Sequence, residues 1–187
     1  MSKKIVIIGY GSYLGSQIAS WLKSKPNYSV EEFDLLGINP EIIDFTGVDV
    51  VIQAAGIEPG KERCNPNTYR EVNCDLAYYT AGVARQYGVK QFFYLSTDSL
   101  GKINNSDEIH DLQLSDYAKS KLAGERKIQE WESDEFRIVI LRLPKIVHTK
   151  LSSLLGKNSV KENVRKMCEI VQKAIDDEVS GTFFMQS

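Results

Sequence analysis

A phenol and an ammonium group stand one helical turn apart in the stretch Tyr117-Ala-Lys-Ser-Lys121. Side chains at this spacing lie on the same face of a helix. A phenol is a poor base at neutral pH, but a neighbouring cation stabilises the phenolate and lowers its pKa. Such a pair takes a proton from a hydroxyl or gives one to a carbonyl. The alternative is a surface tyrosine beside lysines, since chance alone often produces this spacing.

Three glycines surround a predicted strand-to-helix turn, in the sequence Gly9-Tyr-Gly11-Ser-Tyr-Leu-Gly15. Glycines at such a turn let the backbone approach a pyrophosphate, which the N–H groups and dipole of the helix N-terminus attract. The spacing departs from GxGxxG, because the third glycine comes one residue late. A tight turn that holds no ligand is therefore the alternative to a dinucleotide site.

An acidic residue, Asp34, ends the second predicted strand, 25 residues after Gly9. A carboxylate here accepts hydrogen bonds from both hydroxyls of an adenosine ribose and repels a 2′-phosphate. The two residues that follow it are leucines, not arginines. The sequence therefore favours NAD over NADP, with a solvated acid at a strand end as the alternative.

The elements that must position these residues alternate along the chain. Short apolar runs predict strands over 5–8, 29–33, 48–52, 92–95, 137–141 and 181–185. Helical periodicity predicts a helix after the glycine turn and further helices over 117–131 and 162–175. A long helix between the third and fourth strands is predicted to bury an apolar stripe, which comprises Val72, Leu76, Tyr79 and Val83. This alternation predicts a parallel sheet covered on both faces.

One corner of that sheet is expected to be reduced. Only thirteen residues separate Asp34 from Val48, too few for a full strand–helix–strand crossover. Residues 41–45 are expected to form at most the stub of an edge strand. In the last helix, Val164, Met167, Cys168 and Val171 are expected in the core rather than at a site.

Composition excludes several classes of function. The 23 basic and 25 acidic residues give a net charge of −2, which argues against nucleic acid as the main partner. No apolar run approaches the ~20 residues of a membrane span or forms a signal peptide. Widely spaced Cys64, Cys74 and Cys168 favour reduced thiols and a cytoplasmic location. Because His110 and His148 have no ligand neighbours at zinc spacing, we expect no metal.

Taken in order, the motifs resemble the short-chain dehydrogenase/reductase superfamily, in its extended branch of NAD-dependent nucleotide-sugar epimerases and dehydratases. The resemblance is carried by IVIIGYGSYLGSQIA, GVDVVIQAAGIE, YREVNCDLAYYTAGVARQYGVKQFFYLST, SDYAKSKLAGE and FRIVILRLPKIV. It implies an α/β fold: a Rossmann-type doubly wound parallel sheet in three α/β/α layers, forming a single domain over 1–187. It also implies NAD as cofactor, with NADP second, a nucleotide-sugar or related small-molecule substrate, and a homodimer through two long helices.

The resemblance also implies roles for individual residues. Tyr117 would be the catalytic acid/base, and Lys121 would lower its pKa and hold the nicotinamide ribose. Thr97 would orient the substrate, with Ser96 as the nearby alternative, unless these hydroxyls simply cap the strand end. Asn73 would support the site. The residues expected to bind the cofactor are Gly9, Gly11, Ser12, Tyr13, Leu14, Gly15, Asp34, Asp44, Ala54, Ala55, Gly56 and Lys121.

The sequence also departs from the pattern that it resembles. Ser12 replaces a glycine, Gly11 is an additional one, and Ile8 replaces a threonine. Only 40 residues follow Val147, so residues 148–187 are expected to be a vestigial remnant of a substrate lobe. Two functions stay open: an NAD(P)-dependent nucleotide-sugar epimerase/dehydratase-type oxidoreductase, or a non-catalytic NAD(P)-binding sensor or scaffold module.

Overall fold

The computed structural model describes residues 2–9, 11–35, 42–57, 65–101, 103, 113–146 and 157–185, with side chains of the last range from residue 160 onward. The strands are β1 (Lys3–Ile8), β2 (Tyr28–Phe33), β3 (Val50–Gln53), β4 (Gln91–Thr97), β5 (Arg137–Leu143) and β6 (Gly181–Phe184). The helices are α1 (Tyr13–Lys23), α2 (Pro66–Arg70), α3 (Leu76–Gln86), α4 (Asp116–Gln129) and α5 (Lys157–Asp176). A π-helical segment, Glu71–Asp75, joins α2 to α3, and a 3₁₀ turn, Asp98–Leu100, follows β4.

All six strands are parallel and lie in the order β2-β1-β3-β4-β5-β6. The strands β3 and β4 are buried along their whole length, because helices cover both faces of the sheet. Alternate residues of β1 pack on opposite faces of the sheet, with Ile5 and Ile7 in one apolar core and Val6 and Ile8 in the other. The predicted Rossmann-type α/β fold is confirmed. The next two strands in the chain, β2 and β3, lie on opposite sides of β1 in the sheet. Such a switch point opens a ligand crevice at the carboxyl ends of the strands.

The reduced corner is also confirmed over the part of it that the structure describes. Residues 42–49 form no strand there, and β3 pairs directly with β1. Phe45 and Ile43 instead pack as single side chains into the core, with 0% and 8% of their surface exposed. A short apolar connection thus fills the space where a further strand and helix would otherwise lie.

The predicted apolar stripe of the helix after β3 is wrong at Tyr79, whereas Val83 is buried in the core and Leu76 packs against it. Tyr79 is 61% exposed, whereas the buried face carries Ala77, Ala81 and Ala84. Alanine is weakly apolar, so hydrophobic periodicity underweights it, yet its small side chain lets α3 lie close to the sheet. The π-helical segment before α3 also takes more residues per turn and so rotates the face that the earlier residues present.

The C-terminal segment belongs to the sheet. The helix predicted over 162–175 and the strand predicted over 181–185 are found as α5 and β6, and β6 pairs with β5 as the sixth strand; that residues 148–187 are a remnant of a substrate lobe stays a prediction. Four expected core residues of α5 are buried: Val164, Met167, Cys168 and Val171. They pack in the same core as Ile18 and Leu22 of α1, which explains why this segment is needed to cover one face of the sheet.

The thiols and histidines are described in part. Cys74 and Cys168 are free and buried, and burial raises the pKa of each thiol to about 11. Cys64, His110 and His148 lie outside the described residues. Within the described ranges, no group of three or more His, Cys, Asp or Glu side chains is arranged to hold a metal ion. Among the helices that the structure describes, none has the length and apolarity to cross a membrane.

Close packing holds α4 against the π-helical segment. A Cβ atom on Gly124 would lie 2.5 Å from the carbonyl oxygen of Asn73 and 2.6 Å from the hydroxyl oxygen of Tyr94. These two oxygen atoms share a hydrogen bond, in which the Tyr94 hydroxyl donates to the Asn73 carbonyl at 2.5 Å. Glycine at position 124 therefore fixes how near α4 comes to this pair.

We expect Gly124→Ala to lower the free energy of unfolding by about 1–3 kcal/mol, because the added methyl group forces buried atoms apart. The shift would be measured as the midpoint of urea-induced unfolding. Ser20→Ala, at an exposed position of α1, is the control and should leave the midpoint nearly unchanged. An unchanged midpoint for Gly124→Ala would show that α4 moves outward at little cost.

Candidate active site

The turn after β1 depends on glycine. Gly9 and Gly11 have φ angles of +112° and +79°, which side-chain-bearing residues rarely adopt. A Cβ atom on Gly9 would lie 2.5 Å from the backbone nitrogen of Ala55. The Gly9 amide donates to the carbonyl of Phe33 at 2.7 Å. The turn is therefore packed between the ends of β2 and β3, at the switch point of the sheet.

The helix α1 begins directly behind this turn. Ser12 caps it, and its hydroxyl oxygen accepts a hydrogen bond from the Gly15 amide at 3.1 Å. A Cβ atom on Gly15 would lie 2.5 Å from that hydroxyl oxygen and 3.1 Å from the Cβ atom of Ala54. The first turn of α1 carries no acidic residue that would repel an anion at the positive end of its dipole.

A cleft of about 260 Å³ runs from this turn across the carboxyl ends of β3 and β4. Its wall contains most of the residues that the sequence singled out, and it joins the glycine turn to the tyrosine–lysine pair in one space. The lining residues are Gly11, Ser12, Tyr13, Leu14, Ala54, Gly56, Ile57, Leu95, Ser96, Tyr117 and Lys121.

The tyrosine–lysine pair is carried by α4, whose N-cap is Ser115, with its hydroxyl accepting from the Ala118 amide at 3.2 Å. Lys121 is 6% exposed. Its ammonium donates to the carbonyl of Leu95 at 2.9 Å and lies 4.8 Å from the ring centroid of Tyr94. These contacts offset the cost of burying the charge and hold it at the wall of the cleft.

Tyr117 is half-buried at the cleft, one turn before Lys121. Its ring meets the ring of Tyr69 edge to face, with centroids 6.0 Å apart. This is a favoured aromatic geometry. Tyr69 therefore limits how far the Tyr117 ring can turn.

Asn73 connects three segments at the back of the cleft. Its Oδ1 accepts from the Ile57 amide at 3.0 Å, and its Nδ2 donates to Ser120 Oγ at 3.1 Å. A Cβ atom on Gly56 would lie 3.1 Å from both Asn73 Oδ1 and Lys121 Nζ. Asn73 thus supports the loop after β3 from a fully buried position.

The hydroxyls of Ser96 and Thr97, at the end of β4, have different hydrogen-bond partners. Ser96 lines the cleft, and its hydroxyl donates to the carboxylate of Glu125. Thr97 is not among the lining residues. Its hydroxyl accepts from the Ser99 amide at 3.2 Å and caps the following 3₁₀ turn, which matches the capping alternative considered for it.

The two predicted acidic ligands are not among the residues that line the cleft. Asp34 is exposed and directly follows β2, beside the glycine turn. Asp44 accepts a hydrogen bond from the Thr46 amide at 2.8 Å, and this contact lowers the pKa of its carboxyl group. Asp44 thus closes a local turn, and its role at an adenine stays a prediction, as does the role of Asp34 at the ribose.

Three residues around the site were missed by the sequence analysis: Tyr69, Glu125 and Arg142. The spacing Tyr117-x-x-x-Lys121-x-x-x-Glu125 would have placed Glu125 on the same helix face. Arg142 lies within an otherwise apolar strand, and such a charge needs a buried counter-ion. Tyr69 gave no signal of its own.

The sequence model of the NAD dependent epimerase/dehydratase family matches residues 5–169. The chain belongs to this family of enzymes. The match includes the glycine turn, the residues at the end of β4 and the tyrosine–lysine pair. None of the curated protein sequences matches the chain significantly.

Solved structures share the fold. A dTDP-4-dehydrorhamnose reductase from Clostridium acetobutylicum is 21% identical, with a TM-score of 0.73 over 98% of this chain and 74% of that one. The enzyme of the same name from Bacillus anthracis, in complex with NADP, is 18% identical, with a TM-score of 0.74 over 100% and 75%. The Bordetella bronchiseptica enzyme WbmH, in complex with NAD⁺, is 19% identical, with a TM-score of 0.71 over 99% and 75%. At these identities the likeness establishes the family's fold.

Alanine substitutions in the glycine turn should separate strain from steric overlap. Gly11→Ala meets no atom within 4 Å, so only its positive φ should cost stability, about 1–2 kcal/mol. Gly9→Ala adds overlap with the backbone of Ala55 and should cost about 1–3 kcal/mol more. Urea unfolding of the two variants checks the order. Equal losses would mean that the end of β3 yields to the added methyl group.

Proposed function

We propose that this epimerase/dehydratase-family protein binds NAD and interconverts a hydroxyl and a ketone on a nucleotide sugar. The observation that carries the proposal is the single cleft that joins the glycine turn to Tyr117 and Lys121. A dinucleotide laid along this cleft would reach from a helix N-terminus, which favours phosphate, to a proton donor and a buried cation.

The residues present fit such a cofactor. Gly11 lines the cleft and has no atom within 4 Å of the place where a Cβ atom would lie, so a pyrophosphate would approach its backbone without obstruction. The backbone of Tyr13 and Leu14, at the start of α1, would hold the pyrophosphate, and the ammonium of Lys121 would hold the nicotinamide ribose. When bound, a nicotinamide dinucleotide supplies a site that accepts or donates hydride.

Tyr117 would then move the proton that accompanies the hydride. In the oxidising direction its oxygen takes the proton of a sugar hydroxyl as the carbonyl forms, and in the reducing direction it returns a proton to the carbonyl oxygen. The buried ammonium of Lys121 would favour the phenolate form of Tyr117. The edge-to-face contact with Tyr69 would hold the phenol toward the cleft.

The substrate class is supported by the solved relatives, since two of them are reductases of a dTDP-sugar. Relatives have been solved with NADP and with NAD⁺, so they leave the choice of cofactor open. We assign NAD because Asp34 follows β2 beside the glycine turn, where its carboxylate would accept from the ribose hydroxyls and repel a 2′-phosphate.

One observation favours a second function, a cofactor-binding module without turnover. The expected substrate-orienting hydroxyl, that of Thr97, is engaged in the 3₁₀ turn and does not line the cleft. Ser96 lines the cleft in its place, but its proton is donated to Glu125. Of these two hydroxyls, an enzyme would then have only the Ser96 oxygen with which to orient its substrate.

The decisive variant is Tyr117→Phe, which removes the proton-carrying oxygen and keeps the ring. We expect kcat to fall by about 10²–10⁴-fold, while the affinity for NADH, measured by its fluorescence, stays nearly constant. Turnover would be followed as nicotinamide absorbance with a panel of UDP- and dTDP-sugars. Tyr78→Phe, on α3 and outside the cleft lining, is the matched control and should keep wild-type rates.

Other outcomes decide between the two functions. NADH binding without turnover of any sugar in the panel would favour the module. A wild-type protein that binds neither NADH nor NADPH would contradict both functions. Full activity of Tyr117→Phe would remove Tyr117 from the mechanism.

The cofactor assignment has its own test. Wild-type protein should bind NADH more tightly than NADPH, and Asp34→Asn should reduce that preference by roughly tenfold, because a charged hydrogen-bond acceptor is lost. Glu31→Gln, at an exposed position of β2, should leave the ratio of the two affinities unchanged. A wild-type preference for NADPH would contradict the assignment.

A further inference from the structure

A buried ion pair lies next to the cleft and takes no part in the proposed proton transfer. Arg142 and Glu125 have 3% and 0% of their side chains exposed. The guanidinium binds the carboxylate in two places, Nε to Oε1 at 3.0 Å and Nη2 to Oε2 at 2.7 Å. Ser96 also donates its hydroxyl to this carboxylate. The pair is therefore fully desolvated and held by directional hydrogen bonds.

Glu125 lies on the same face of α4 as the tyrosine–lysine pair, because Tyr117, Lys121 and Glu125 follow one another at intervals of four residues. Two of these side chains attach that face to neighbouring residues of β4. Lys121 donates to the Leu95 carbonyl, and Glu125 accepts from Ser96. The position of α4 along the end of β4 is thus set by successive contacts.

Arg142 extends the same network to β5 and to the chain after β4. It lies directly opposite Ser96 in the register of the two strands. Its Nη1 donates to the carbonyls of Gly101 and Ile103, at 2.9 and 3.0 Å. One guanidinium therefore connects β5, the helix that carries Tyr117, and the segment that follows the 3₁₀ turn.

Stability alone does not account for this arrangement. The desolvation free energy lost on burying two charges is about as large as the free energy gained from their attraction. Apolar residues of similar volume often stabilise the fold at such a position as well or better. What an apolar cluster lacks is direction, since a bidentate arginine–carboxylate pair accepts only one relative geometry. Catalytic groups require that kind of positional control.

We propose that Glu125 and Arg142 are positioning residues that fix α4 against the end of β4 and so place Tyr117 and Lys121 at the cleft. This inference rests on the proposed function only in taking a nicotinamide dinucleotide as the ligand of the cleft. The Glu125 carboxylate also determines how Ser96 can bind a ligand, because the Ser96 hydroxyl donates its proton to Glu125. Ser96 therefore offers the cleft a hydrogen-bond acceptor, suited to a ligand hydroxyl rather than to a carbonyl.

The test compares Arg142→Met, Glu125→Gln and the double variant, in which no unpaired buried charge remains. Backbone hydrogen exchange of residues 118–125 in α4 and of residues 16–22 in α1 is measured by mass spectrometry, together with NADH affinity at a temperature where each variant is folded. Tyr28→Phe is the control, because it removes a 2.5 Å hydrogen bond to Asp176 at the start of β2, away from the cleft.

In the double variant we expect exchange in α4 to quicken by about tenfold while α1 is unaffected, the pattern of a local loosening. Affinity for NADH should fall by as much as about 100-fold, because Lys121 is displaced. Arg142→Lys keeps the charge without the bidentate fork and should rescue only part of both effects. The Tyr28→Phe control should lower the unfolding midpoint without changing either readout.

Parallel increases of exchange in α4 and α1, or unchanged exchange and unchanged NADH affinity in a folded double variant, would overturn the proposal. Failure of the double variant to fold would also overturn it, because the pair would then serve the stability of the whole fold. If the wild-type protein binds no NADH, the proposed function fails, while the exchange pattern still decides whether the pair positions α4.

Discussion

The contact on which the site depends is the hydrogen bond from the buried ammonium of Lys121 to the carbonyl of Leu95. A charge that is 6% exposed must be compensated by the protein. Here the carbonyl and the face of the Tyr94 ring provide that compensation. The same bond fixes the helix that carries Tyr117 to the strand at the centre of the crevice. This contact therefore serves both to place α4 and to compensate the buried charge.

The surrounding packing supports that contact through small residues and backbone groups. Gly56 allows the loop after β3 to approach Lys121, and Gly124 allows α4 to approach the Asn73 carbonyl. The Tyr94 hydroxyl, which donates to that carbonyl, is fully buried, and burial raises its pKa well above the usual value. Tyr94 therefore stays neutral and acts as a structural hydrogen-bond donor behind the cleft.

The sequence predicted the fold and the main chemical groups because those features follow local rules. Apolar β-branched runs mark buried strands, and the spacing of Tyr117 and Lys121 places them on one helix face whatever the rest of the chain does. The glycine turn was visible for the same reason, since positive φ angles select glycine. Contacts between distant segments were not visible, as the association of Arg142 with Glu125 shows, because no local pattern encodes which charges meet.

The errors have a similar origin. Tyr79 was assigned to a buried stripe because of its helical spacing from Leu76 and Val83, whereas close packing on the sheet selected the alanines of α3. The interpretation of residues 148–187 as a lobe remnant rests on their position after the family's motifs and stays a prediction, whereas the strand predicted over 181–185 is found as β6, paired with β5. Thr97 and Ser96 are adjacent in sequence, and only the structure separates the one that lines the cleft from the one that caps a turn.

The position of α5 and β6 in the chain has a consequence for folding during synthesis. Both emerge from the ribosome after the other elements that the structure describes, yet α5 packs with α1 in the core on one side of the sheet. Until it emerges, α1 is the one described helix that covers the apolar residues that β1, β3, β4 and β5 direct to that side. The nascent chain therefore exposes an apolar, aggregation-prone surface for the time needed to translate α5. This surface is where a chaperone would be needed.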